Sequence, residues 1–185
     1  MSVVPDSRSE WFCALTMLTP SIVALVVFSN KRFEFDNVYE YIVFVQCFVY
    51  APFSITLHLK RAFGDHCYRD GGLIIRRLDY TFIHVASSLL CFGLSHSVLY
   101  GTLGTLLNVY CVYKIWTFDG LFQTPPIHCV ETCVFVCLFG LVINERMQSF
   151  FYACVVAIMF YLCILFDRYA TMHVLCGVLQ YVLMN

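Results

Sequence analysis

Charge is scarce in this chain. Only 12% of its 185 residues are Asp, Glu, Lys or Arg, about half the 25% carried by an ordinary soluble domain. Eleven basic and twelve acidic side chains cannot cover a water-soluble monomer of this length. A disordered chain needs high charge and few aromatics, and here 17% of residues are aromatic and 61% hydrophobic. The net charge of −1 provides no basic surface for a polyanion, so nucleic acid is excluded as a partner. No low-complexity segment and no convincing internal repeat is present. An integral membrane protein remains, with membrane lipid as its expected partner and no protein partner indicated.

The eleven cysteines are odd in number, so at least one escapes intramolecular pairing. Most lie inside apolar runs (Cys13, Cys47, Cys91, Cys111, Cys137, Cys154, Cys163, Cys176), where a free thiol is a small buried hydrophobe. A secreted disulfide scaffold is therefore excluded. The first ten residues contain Pro5, Asp6 and Glu10 and no basic run, which argues against a cleaved leader.

Crossing a hydrocarbon layer of roughly 30 Å takes about 20 mainly apolar helical residues. Trp11 to Asn30 contains no Asp, Glu, Lys or Arg, and Tyr41 to Leu59 contains none either. Tyr80 to Tyr113 is free of them for 34 residues, too long for one crossing. Its polar break, Gly93-Leu94-Ser95-His96-Ser97, reads as a tight turn. The runs are continuous rather than alternating, which excludes a closed barrel. The expectation is an all-α, seven-transmembrane helical bundle, a polytopic membrane protein of one domain over 1–185. Its spans fall near 11–30, 40–59, 79–93, 97–116, 127–143, 149–166 and 169–184. Lys and Arg set the orientation. The side of the N-terminus would own Arg8, Lys60, Arg61, Arg69, Arg76, Arg77, Lys114 and Arg168, against Lys31, Arg32 and Arg146 opposite. A cytoplasmic N-terminus follows.

Ionisable groups inside a membrane are costly and by default mark function. His58, Asp79, His128, Glu131 and His173 are such groups, and Ser54 shares a helix face with His58 at i, i+4. The end of span two and the starts of spans three, five and seven lie on one side of a seven-span chain, so all six can converge in one leaflet. Imidazole and carboxylate are zinc donors, and zinc brings the pKa of its water to about 7. Taken singly, each residue can equally snorkel to the interface or bond a neighbouring helix. His84 lies about 140° round the helix from Asp79 and is expected to bond another helix. Cys129, Cys133 and Cys137, at i, i+4 and i+8, read as a packing stripe rather than a soft-metal site.

This pattern resembles the CREST superfamily of seven-span membrane hydrolases. That superfamily includes alkaline ceramidases, adiponectin and progestin receptors, and a myomaker-containing branch. Its Ser-x-x-x-His signature corresponds to Ser54-Ile-Thr-Leu-His58. Its aspartate opening span three corresponds to Asp79 in Arg76-Arg77-Leu78-Asp79-Tyr80, which looks like the receptor branch. The long gap from His58 to Asp79 looks more like the myomaker branch. The family's His-x-x-x-His early in span seven is half present. If His173 is its second histidine, Tyr169 fills the first place; if His173 is its first, Gly177 fills the second. The resemblance implies zinc as cofactor, with His58 and His173 as ligands. Asp79 would orient or deprotonate a water that attacks a lipid amide or ester, and Ser54 would hydrogen-bond within the site. His128 or Glu131 is the expected replacement donor unless Asp79 ligates directly. The alternative is a non-catalytic member of the fold, acting in membrane remodelling, fusion or assembly. A transporter is least supported, because only Pro20 and Pro52 interrupt spans and paired repeats are missing.

Overall fold

The computed structural model describes residues 7–32, 34–63, 70–117, 127–166 and 168–184; the side chains of 70–73, 127–132, 164 and 165 lie outside the description. Among the described residues regular structure is entirely helical. The helices are α1 (Ser7–Thr16), α2 (Thr19–Asn30), α3 (Val38–Ala62), α4 (Asp70–Ser95), α5 (Val98–Thr117), α6 (Ile127–Ile143), α7 (Met147–Leu165) and α8 (Tyr169–Met184).

Helices α1 and α2 form one rod, Ser7–Asn30, interrupted at Met17 and Leu18. The cause is Pro20, at the second position of α2. Proline has no amide hydrogen, so the Thr16 carbonyl loses its i+4 donor. The rod restarts through the Ile22 amide, which donates to Leu18 O at 2.9 Å. The short leading segment α1 packs against α3 and α8.

Helix α3 is capped by Asn37, whose Oδ1 accepts from the Tyr39 and Glu40 amides at 2.9 and 3.0 Å. Glu40 sits in its first turn and Lys60 and Arg61 in its last, each matched to the helix dipole. Pro52 lies inside the helix, and its carbonyl accepts from Thr56 Oγ1 at 2.7 Å. Helix α4 ends at Ser95 and α5 begins at Val98, which puts the tight turn where the polar break lies. His96 makes it by entering the left-handed region at φ 52°. Ser95 Oγ meanwhile donates to Cys91 O at 2.6 Å.

Among the described residues three helices are long and apolar enough to cross a membrane: Ser7–Asn30, Val38–Ala62 and Ile74–Ser95. Shorter apolar helices are Cys133–Ile143, Met147–Cys163 and Tyr169–Met184. By length and composition this is a membrane protein. The outside agrees, since Phe12, Leu103, Phe135 and Phe151 are all more than half exposed, as lipid-facing side chains are. Helix α4 is central, packing on α3, α5 and α6, while α8 packs on α2 and α7. The core joins Ala24, Phe28, Cys47, Cys91, Leu94, Leu138 and Leu141. Small residues let helices approach closely. A Cβ added at Gly104 of α5 would stand 2.5 Å from Cys91 Sγ of α4. The cysteines described are free thiols, and those in the core are packing residues.

Candidate functional site

The first turns of α1 and α8, the last turns of α3 and the N-terminal half of α4 meet at one end of the bundle. Four of the six side chains singled out from sequence are found there. Ser54, His58, Asp79 and His173 are each at least nine-tenths buried. Asp79 is not the opening residue of its helix, which starts nine positions earlier at Asp70. Its place in the third turn carries it inward to Ser54.

His58 and His173 come from helices more than a hundred residues apart, yet their rings meet edge to face with centroids 5.2 Å apart. Ser54 is a hydrogen-bond partner of the Asp79 carboxylate, and His58, Arg61 and Arg76 are its charged or chargeable neighbours. The other carboxylate oxygen, Oδ1, is buried without a partner. Burial of an unsatisfied carboxylate oxygen is expensive, and a catalytic role or a bound water or ion are among the reasons such an atom is kept.

Two further groups come from α1. Glu10, only 6% exposed, places Oε2 2.6 Å from His58 Nδ1 and Oε1 3.8 Å from the Arg61 guanidinium. Thr16 Oγ1 lies 3.2 Å from His173 Nδ1. Sequence reasoning passed over Glu10, although the rule that selected the starts of spans three, five and seven applies equally to the start of span one. His128 and Glu131 lie on α6, but their side chains fall outside the described residues.

The structure also explains the half-present histidine pair. Gly177 faces α2, where an added Cβ would stand 2.5 Å from Thr19 Cγ2. A histidine does not fit that wall. At the other candidate place Tyr169, in the first turn of α8, is 43% exposed and turned outward.

His84 belongs elsewhere, and it bonds other helices as expected. Its Nδ1 lies 2.9 Å from Asn108 Oδ1 on α5 and 2.6 Å from Cys133 Sγ on α6. Cys133 also donates to Asn108 Oδ1 at 2.8 Å, and Asn108 Nδ2 donates to Gly104 O at 2.8 Å. Cys133 and Cys137 are buried; Cys129 lies outside the described side chains.

As for zinc, the donors fit in kind: two imidazoles, and a carboxylate with one oxygen unpaired. Two histidines bound tetrahedrally to one zinc at about 2.0–2.1 Å have ring centroids ~5 Å apart, the separation found here. Among the described residues, however, no group of three or more His, Cys, Asp or Glu is gathered tightly enough to hold a metal ion. Zinc binding at this end would require Asp79 to close on the histidine pair. Comparison with protein-family models, with curated proteins and with solved structures finds no match to this chain.

Proposed function

We propose that the chain is a seven-span membrane protein with a cytoplasmic N-terminus and a zinc-dependent hydrolytic site of the CREST kind in the cytoplasmic leaflet. Helices α5 to α8 would supply the four spans beyond the three long apolar ones. The substrate class is a membrane lipid with an amide or ester bond. His58, His173 and Asp79 would hold zinc, which when bound supplies Lewis acidity and activates water near neutral pH. Asp79 is also the group able to take a proton from an attacking water, and Ser54 orients its carboxylate. Burial among apolar helices keeps bulk water away from these side chains. The observation that carries this reading is the His58–His173 ring pair at 5.2 Å beside the unpaired Asp79 oxygen.

The test is metal analysis of the purified protein in detergent, alone and after incubation with zinc. About one zinc per chain is expected, reduced in His58→Ala and His173→Ala. Hydrolysis of a lipid amide or ester should disappear in Asp79→Asn. A chain that takes up no zinc from micromolar solution would sink the proposal. The second reading, a non-catalytic member of the fold acting in remodelling, fusion or assembly, draws on one observation. His58 is already engaged by Glu10 at 2.6 Å, a hydrogen bond that ties α1 to α3 without any ligand.

A further inference from the structure

An imidazole has two nitrogens, and a ligand can use only the one whose lone pair is free. Which nitrogen that is depends on what the other ring nitrogen binds. At this site both histidines address α1 through Nδ1. The Glu10 carboxylate, an acceptor when ionised, lies 2.6 Å from His58 Nδ1. Thr16 is equally informative. Its hydroxyl hydrogen is spent on the backbone, donating to Phe12 O at 2.9 Å and Cys13 O at 3.1 Å. What Thr16 Oγ1 offers His173 Nδ1 at 3.2 Å is therefore a lone pair. Each Nδ1 thus faces an acceptor, the arrangement of a ring that carries its hydrogen there.

We propose that α1 is the positioning element of the site: Glu10 and Thr16 hold His58 and His173 in the same tautomer, Nδ1 protonated, leaving both Nε2 lone pairs for a divalent cation. The inference rests on the metal reading above for its ligand, but the tautomers themselves can be observed without metal. Carboxylate support of a metal-binding histidine fixes the ring and raises its basicity, and its loss costs about 10–100-fold in metal affinity. The segment α1 packs on both α3 and α8, the helices that carry the two histidines.

The experiment uses the full chain in nanodiscs. Nitrogen-15 spectra of the metal-free protein, with histidines assigned by substitution, report which ring nitrogen is protonated. Competition with a chromophoric chelator reports zinc affinity. Both rings should show protonated Nδ1. Glu10→Ala should release the His58 tautomer and weaken zinc about 10–100-fold. Glu10→Gln, which keeps an acceptor but no charge, should retain the tautomer and fall between wild type and alanine. Thr16→Val should release the His173 tautomer with a smaller loss of affinity. If Glu10→Ala does not fold, Glu10→Gln and Thr16→Val decide the matter. A wild-type His58 or His173 protonated on Nε2 overturns the proposal, as does zinc affinity within twofold of wild type in all folded variants. If the chain binds no zinc yet its tautomers shift in the variants as described, the metal reading fails while the positioning role of α1 stands.

Discussion

Two clusters of buried polar side chains divide the interior of this protein, and they are built on opposite terms. The cluster of His84, Asn108 and Cys133 is closed. His84 is fully buried, and Asn108 Oδ1 accepts from both the imidazole and the thiol. Its amide is spent on Gly104 O. Three helices are tied together, and every buried nitrogen and oxygen of these side chains has a partner. The cluster of Glu10, Ser54, His58, Asp79 and His173 is open. It gathers two carboxylates and two imidazoles, and one Asp79 oxygen is left without a partner. Burial and ionisable chemistry are common to both clusters. What separates a structural tie from a candidate site is whether the polar atoms are already satisfied.

The sharpest way to test that contrast is to remove the shared acceptor of the closed cluster. Asn108→Leu removes the acceptor that His84 and Cys133 share and leaves the two only each other, at 2.6 Å. A loss of about 1–3 kcal/mol is expected, read as a lower unfolding midpoint in detergent, with zinc uptake unchanged. The companion substitution, Asp79→Asn, should do the reverse. Stability should hold or rise by up to about 2 kcal/mol, because a group kept for function is commonly kept at a cost in stability. Lipid hydrolysis should be lost. If Asp79→Asn destabilises as much as Asn108→Leu, the open cluster is another tie and the contrast collapses.

Much of this arrangement was legible before the coordinates. Charge-free runs find the apolar helices because lipid penalises unpaired charge, and Ser54, His58, Asp79 and His173, picked for lying at run ends, are found together at one end of the bundle. The same signal misjudges where helices start. A charge-free run measures the hydrocarbon layer, whereas the helix continues into the interface on either side. Helix α4 accordingly starts at Asp70, through Gly71-Gly72 and Arg76-Arg77, and α1 starts at Ser7. With the first span drawn from Trp11, Glu10 falls one residue outside it and is not among the ionisable groups singled out. Its burial comes from tertiary packing, in which α1 lies against α3. No periodicity encodes that contact. The missing histidine is a similar case, since only the packing of Thr19 on Gly177 shows why that position stays small.

The smallest expected effect concerns the link between ties and site. Gln46 on α3 donates to Gln180 on α8 at 2.5 Å, and Gln180 Nε2 lies 3.0 Å from Val43 O. These are the two helices that carry His58 and His173, so the glutamine pair fixes the register in which the histidines meet. Interhelical hydrogen bonds in membranes average about 0.6 kcal/mol, and Gln180→Leu should cost about that much. Replacing both partners with apolar groups can be nearly neutral, so the Gln46→Leu/Gln180→Leu double variant should recover most of the stability. Zinc affinity should not recover with it. Leucines pack as well in several registers, whereas the hydrogen bond is made in one, and buried polar groups are best attested as devices that choose a register. A double variant with stability and zinc affinity both at wild-type levels would show that the histidines are aligned by packing alone, and that the glutamine tie contributes nothing to the site.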